Sequence, residues 1–340
     1  MGNCLIKGMG GRKIKTVERK EKYLPLSTDL LVPGHPLLEE DFYLRVGNRF
    51  VLLRKKELPL TRERIDRWKD MGVRAVYIRA QTRDTYLKYL YSRMKEVMGG
   101  TTPPEEKAKY LYSLSELVVD KITREFNHEA VDLAQNLARD TVTHLIEQPQ
   151  LVKSIVKMMS HDFLTYVHSN NVFFLSAGFA LSQGLSRPEV EKLALGALFH
   201  DLGKERIDPR ILQKPGRLDP YEWSEVRKHP LWSRDMLRDL KIASADEIRR
   251  MALEHHESYD ATGYPRGLDR EQIHPYSMLI KICDVFEALC GIRPYREPLT
   301  PFKALELMKD VMRKKIDIEM FKAFVNFLGP DYYTKLMKKE

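Results

Sequence analysis

The chain has 340 residues, enough for two domains with cores of ordinary size. Apolar residues make up 43% and charged residues 31%, a balance that excludes a disordered or fibrous polymer and points to a globular protein. The formal net charge is +9, but the first 24 residues alone hold seven Lys or Arg against two Glu, so much of the excess sits in a tail rather than on a nucleic-acid-reading motif, and no duplex partner is expected.

In chain order, residues 1–24 read as a disordered basic tail. Gly2 lacks the Ser or Thr at position six that myristoylation needs, and no apolar signal region precedes Cys4. Residues 25–98 read as a small α+β module. Phe42, Leu44 and Val46, then Phe50 and Leu52, alternate around Gly47-Asn48, the pattern of a β-hairpin. Thr61 caps a short helix with Trp68 and Met71 on its buried side, Gly72 closes it, and Val73–Ile78 reads as a strand before a charged helix over 79–98. The module carries no phosphoacceptor pattern, which argues against a receiver domain. Docking of a protein partner, a homodimer contact and control of a site are the roles it leaves open. Gly99-Gly100-Thr101-Thr102-Pro103-Pro104 reads as the linker, since two glycines and two prolines in six residues cannot continue a helix.

From Glu105 to Glu340 the apolar spacing is helical, with Leu117, Val118, Ile122 and Phe126, then Val131, Leu133 and Leu137, at three- and four-residue steps. Further helices are expected over 163–184, 188–199, 220–228, 231–239, 245–256, 275–290 and 301–313. The fold class is mainly α, a helical bundle with a small α+β N-terminal domain and its site on facing helices. No segment reaches the roughly 20 apolar residues of a membrane span; the longest, Val172–Leu185, contains Ser176, Ser182 and Gln183. Cys4, Cys283 and Cys290 show no CxxC spacing, which fits a reducing, cytoplasmic setting.

The stretch FHDLGK, 199–204, places His200 and Asp201 side by side at the end of an apolar run, with Lys204 three positions on. Burying either polar residue without a partner costs a few kcal/mol; a mutual hydrogen bond and a shared metal ion both satisfy them. His168, His229, the pair His255-His256 and Asp284 extend the series, which takes five of the chain's ten histidines. Five His and two Asp exceed the three or four protein ligands of a single ion and fit two ions sharing a carboxylate. Two ions roughly 3.5–4 Å apart are a common device for phosphoester hydrolysis. His35, His128, His144, His161 and His274 read as surface or core residues.

HDLGK at 200–204, KPGRL at 214–218, KHP at 228–230, HHESYDATGYPRGL at 255–268 and DVFEALCGIRPYR at 284–296 occur in this order, and over about 105–310 the chain resembles the HD-GYP domain, a subgroup of the HD phosphohydrolases. The resemblance implies a metal-dependent phosphodiesterase that hydrolyses the bacterial second messenger cyclic di-GMP, with linear pGpG or GMP as the final product. It implies one divalent ion on His168, His200, Asp201 and Asp284 and a second on His229, His255 and His256, with Asp201 bridging. Iron or manganese is expected, and zinc is compatible. Water between the ions would attack phosphorus in line with the departing O3′. Lys204 would offer its charge to the phosphate. Gly263-Tyr264-Pro265 would form a loop beside the substrate, with Gly263 in a conformation other residues resist and Pro265 stiffening the exit. Arg293 and Arg296 would pair with a phosphate or a guanine edge. Adjacent helical residues point about 100° apart, so His255 and His256 can share a site only at a helix end, which the polar run Ser258–Gly267 supplies.

Two departures from the family pattern stand out. Ala261 replaces the usual glycine before the GYP motif, which strains the loop if that position needs a positive φ. Leu164 stands where some members carry a glutamate for a third metal, so two ions are expected. The other readings are an HD phosphohydrolase of another cyclic dinucleotide, such as cyclic GMP-AMP, and a catalytically silent sensor of a dinucleotide or a partner protein.

Overall fold

The computed structural model describes residues 23–28, 31–35, 39–47, 49–161, 168–238, 242, 245–291 and 297–329. The chain divides into two compact units, Met1–Tyr89 and Leu90–Glu340.

The first unit contains a four-stranded antiparallel sheet ordered β1-β4-β2-β3, with β1 Tyr23–Ser27, β2 Phe42–Val46, β3 Arg49–Arg54 and β4 Ala75–Arg79. The expected hairpin is β2–β3. Helix α1, Arg62–Asp70, begins where Thr61 Oγ1 accepts from the Arg64 amide. Leu26, Phe42, Ile65 and Val76 are fully buried and tie helix to sheet. Trp68 is buried as expected, whereas Met71 is 69% exposed, because it ends the helix rather than facing the sheet. Strand β1 begins inside the stretch read as tail. Its Pro25 conceals it, and the strand tolerates that proline because it lies at the sheet edge. The rest of the tail, residues 1–22, lies outside the described residues.

Helix α2, Arg83–Gly99, carries the division between the units, which falls at Tyr89/Leu90 rather than at 99–104. The physical reason is packing. Leu90, Val97 and Met98 are buried, the Tyr110 hydroxyl donates to the Leu90 carbonyl, and Gln148 Nε2 donates to the Met98 carbonyl at 3.1 Å. The 99–104 stretch is the short connection into α3, Pro104–Arg124.

The second unit continues with α4 His128–Glu147, α5 Gln150–His161, α6 His168–Ser182, α7 Arg187–Phe199, α8 Pro209–Leu212, α9 Pro220–Val226, α10 His229–Met236, α11 Ala245–Glu254, α12 Pro275–Cys290, α13 Pro301–Met312 and α14 Ile318–Leu328. Helix α6 from Val172 and the second half of α7, Leu193–Phe199, are apolar nearly all round and fill the centre, as helical segments without a polar face must. Phe173, Phe179 and Phe199 are fully buried there, each contributing about 1.5–3 kcal/mol of transfer free energy. A capping box between Ser186 and Glu189, with Pro188 in the first turn, fixes the start of α7. A Cβ at Gly196 would meet Met251 Sδ at 2.6 Å, so the glycine leaves room for the Met251 side chain of α11 against α7. No helix among the described residues is long and apolar enough to cross a membrane.

Candidate metal centre

The site is assembled where α7 stops. His200 follows its last turn, Asp201 leaves helical geometry, and Leu202–Arg206 form a short 3₁₀ turn. That turn lies directly on the start of α10. The Gly203 amide donates to Ser233 Oγ at 2.8 Å, and the same hydroxyl donates to the His200 carbonyl at 2.8 Å. A Cβ on Gly203 would sit 2.1 Å from the His229 carbonyl oxygen. The glycine of HDLGK therefore lets the turn dock backbone to backbone, and so brings His200 and Asp201 up to His229, the first residue of α10.

His255 and His256 lie just past the end of α11, the helix end that two adjacent ligands require. Lys281 of α12 donates to the His256 carbonyl and to Ser258 Oγ, each at 3.3 Å, and burial pulls its ammonium down to about 8. Beyond it, an antiparallel bridge between Asp260 and Asp269 closes a loop that Glu257 holds by accepting from the Arg266 and Leu268 amides. Tyr264 stacks on His256, with ring centres 4.7 Å apart. Burial, reinforced by Asp284 and Asp201, raises the Tyr264 phenol well above its ordinary range. The Tyr264–Pro265 peptide is cis. Gly263 serves a purpose other than the expected one: it has no left-handed φ, but a Cβ there would meet the Ser258 nitrogen at 2.4 Å, so close approach requires it. The left-handed residues of the loop are Gly267, φ 64°, and Ala261, φ 58°. Ala261 thus keeps the backbone a glycine would adopt, at a steric cost of roughly 1–2 kcal/mol. After allowance for the greater freedom of glycine in the unfolded chain, Ala261→Gly is expected to stabilise the protein by about 0.5–1 kcal/mol, read as a higher urea midpoint at unchanged m-value.

All seven residues of the proposed ligand set converge. Asp201 Oδ2 is 3.3 Å from both His168 Nε2 and His200 Nε2, while its Oδ1 is 3.2 Å from His229 Nε2 and 3.8 Å from His255 Nε2. Asp284 Oδ1 is 3.1 Å from His168 Nε2, and its Oδ2 is 4.0 Å from His256 Nδ1. Two groups of donors result, His168, His200 and Asp284 on one side and Asp201, His229, His255 and His256 on the other, each with its ligand atoms within 4.8 Å of one another. The two oxygens of Asp201 face one group each.

The rings are oriented from behind. Nδ1 of His200, His229 and His255 lies 2.6, 2.6 and 2.9 Å from the carbonyls of Ala197, Val226 and Ala252, three residues upstream in each case. A nitrogen facing a carbonyl must carry the proton, so each Nε2 presents a lone pair to the centre. His168 turns Nδ1 to the Glu287 carboxylate, whose other oxygen accepts from Asn171 at 2.9 Å; Asn171 in turn accepts from the Tyr112 hydroxyl at 2.6 Å. His200 Nε2 and Asp201 Oδ1 are buried without a hydrogen-bond partner among the described residues. Leaving a buried polar atom unmet costs about 1–3 kcal/mol, and a cation held by imidazole nitrogen and carboxylate oxygen satisfies both atoms.

Burial works against a charged Asp201, but His200 and Lys204 hold its carboxyl well below the ordinary range; for Asp284 burial is overcome first by His168. Burial pushes His255 and His256 well below the usual imidazole value, which keeps them neutral and able to ligate at pH 7. Burial alone would lower His168, but the Glu287 carboxylate reverses this and raises it. Lys204 is paired with Asp201 Oδ2 and its side chain is about a third exposed, at the edge of the cluster. Arg293, Arg296 and Leu164 lie outside the described residues.

Glu287 is the functional candidate the sequence reading missed. It stands one helical turn after Asp284, and an acid at that spacing looks like any helix-surface charge, yet it is 2% exposed. Glu287→Gln is expected to weaken metal affinity or activity by about 10- to 100-fold, the scale for partners that orient a ligating histidine, with the melting temperature of the metal-free protein little changed. Calorimetric titration of the stripped protein reads the first, a thermal scan the second.

The HD domain family pattern matches residues 132–320, more than half of the chain, and the chain belongs to that family. A cyclic di-GMP phosphodiesterase of Pseudomonas aeruginosa is 34% identical over 203 residues, 59% of this chain and 49% of the relative. A 3′3′-cGAMP-specific phosphodiesterase of Vibrio cholerae is 37% identical over 171 residues, 50% of this chain and 37% of the relative. The chain therefore spans half or less of the length of these curated relatives. Among solved structures, the HDG"Y"P protein Bd1817 of Bdellovibrio bacteriovorus shares the fold, with a TM-score of 0.65 at 20% identity over 90% of this chain and 99% of that one.

Proposed function

We propose that this chain is a metal-dependent phosphodiesterase that hydrolyses cyclic di-GMP to linear pGpG or GMP. The observation that carries the reading is the placement of Asp201, one carboxylate oxygen toward each of two histidine groups. The names of the two curated relatives support a cyclic dinucleotide as substrate.

His168, His200 and Asp284 would hold one ion with Asp201 Oδ2, and His229, His255 and His256 a second with Asp201 Oδ1. Iron or manganese suits this donor set, and zinc is compatible. Divalent ions bound there supply Lewis-acid neutralisation of phosphate charge and make water more acidic. The carbonyl-facing Nδ1 protons keep three imidazoles in the ligating tautomer throughout. Lys204 adds a positive charge beside Asp201 at the open edge, where it would orient a phosphate. Tyr264 covers one face of His256 and excludes water from it. In the hydrolysis, water adds to phosphorus, the P–O3′ bond breaks and the 3′ oxygen takes up a proton. Cyclic GMP-AMP is the second substrate reading, favoured by the Vibrio cholerae relative. A silent sensor draws less support, because Ala261 keeps the loop backbone that a glycine would give.

Anaerobic purification, metal analysis and incubation with cyclic di-GMP, followed by chromatography of the products, tests the proposal. Two ions per chain and the appearance of pGpG or GMP, abolished by stripping and restored by reloading, are expected. A metal-loaded protein that binds a cyclic dinucleotide and never cleaves it would replace the enzyme with a sensor.

A further inference from the structure

Helix α9 presents two side chains toward the candidate site that no motif accounts for. Trp223 leaves 47% of its surface exposed, its ring 6.1 Å from Tyr264 and inclined at 76°. Arg227, one turn on, sets its guanidinium carbon 5.0 Å from the centre of the Tyr264 ring. Tyr264 itself stacks on His256. An aromatic and guanidinium surface thus runs without a break from a histidine of the centre out to solvent. Lone exposed aromatics are ordinary, but one continuous with a candidate centre is not.

The charges around it are already committed. Lys214 pairs with Glu222 at 2.6 Å, Lys228 pairs with Glu225, and Asp219 with Glu222 caps the helix. Arg227 makes no ion pair among the described residues, and Tyr264 is its partner. Its five donors are available to a ligand. Helix α9 carries Trp223 and ends on Arg227 as its C-cap, and its capping box and Pro220 in its first turn fix the backbone from which both side chains project.

We propose that Trp223 and Arg227 form the base-reading shelf of this site: the indole stacks on a purine, and the guanidinium donates to the O6 and N7 acceptors of guanine. Aromatic side chains stack on any base, so Trp223 supplies affinity. The planar guanidinium fits the two acceptors of guanine, whereas adenine presents an amino donor in place of O6, so Arg227 supplies the choice between them. The inference rests on the phosphodiesterase reading and names the residues that set its base preference.

Steady-state kinetics of the metal-loaded full chain with cyclic di-GMP and cyclic di-AMP tests it, with KM and kcat read separately. Trp223→Ala is expected to raise KM for cyclic di-GMP about 10- to 100-fold, with the loss in KM rather than kcat and the metal content unchanged. Trp223→Phe, which keeps an aromatic face, is expected to recover most of it and stands in if the alanine variant does not fold. Arg227→Ala is expected to reduce the preference in kcat/KM for cyclic di-GMP over cyclic di-AMP by about tenfold or more. Wild-type turnover of cyclic di-GMP with KM and preference unmoved in both variants overturns the shelf and leaves the enzyme reading standing. A fall in kcat or metal content at constant KM overturns it as well, by making Trp223 a structural residue. Failure of the metal-loaded wild type to cleave or bind any cyclic dinucleotide removes both.

Discussion

Asp201→Asn is expected to abolish turnover and to deplete metal from both donor groups together. The carboxylate approaches both groups through different oxygens, with Oδ2 3.3 Å from His168 and His200 and Oδ1 3.2 Å from His229 and 3.8 Å from His255, closer on the second side than Asp284, whose Oδ2 stands 4.0 Å from His256. Asparagine keeps the volume but removes the charge and replaces one acceptor with a donor. The lone pairs of two imidazole groups then face an amide, and the positive charge of Lys204 loses its partner. A metal ion contributes several kcal/mol of transition-state charge stabilisation, so a fall in kcat/KM of about a thousandfold or more is expected. Metal analysis after exhaustive dialysis separates this outcome from a purely catalytic defect. Asp201→Asn with two tightly held ions and near-normal turnover would refute the bridging assignment.

Gly203→Ala is expected to be among the most destabilising methyl additions in the chain. Its Cβ would sit 2.1 Å from the His229 carbonyl oxygen and 2.7 Å from the Ser233 nitrogen, both backbone atoms of α10 that cannot rotate away. Overpacking a core ordinarily costs about 1–3 kcal/mol, and a contact this short on backbone belongs at or beyond the upper end. Relief requires the 3₁₀ turn to lift from α10, which separates His200 and Asp201 from His229 and breaks the Ser233 hydrogen bonds to Gly203 and His200. A lower urea midpoint and a weakened metal affinity in the same variant are the expected pair of results. Loss of stability with metal affinity intact would mean that the turn relaxes without moving the site.

The fold and the convergence of the seven His and Asp residues were legible in the sequence because both leave local traces. Apolar residues at three- and four-residue steps report buried helical faces, and the helix end beside His255-His256, which falls at Glu254 just before the pair, is announced by the polar, glycine-bearing run that follows. Strand β1 was hidden because its pairing to β4 is a tertiary fact and Pro25 masks its alternation. The division within α2 was hidden for a similar reason: glycine and proline mark where a helix stops, but whether Leu90–Gly99 belongs to what precedes or follows depends on which surfaces its apolar residues meet. Glu287 escaped notice because burial, and not residue type or spacing, separates a carboxylate that orients a histidine from a solvent-facing one. Gly263 departs from its expected role in the loop, while Ala261 does sit at a position of positive φ, the case in which strain was expected. The glycine serves close packing and the alanine bears the left-handed backbone, a distinction only the folded chain reveals.

The three carbonyls behind His200, His229 and His255 have a further consequence for how the protein handles its metal. Each belongs to the turn just upstream of its histidine, so the proton on each ring is sorted by secondary structure before any ion arrives. The donor atoms are therefore oriented by the fold itself rather than by an ion. Chelation should leave a folded apoprotein that reloads at the rate of ion entry, with no refolding step, and the ion's binding energy should appear as added resistance to denaturation rather than as the origin of the fold.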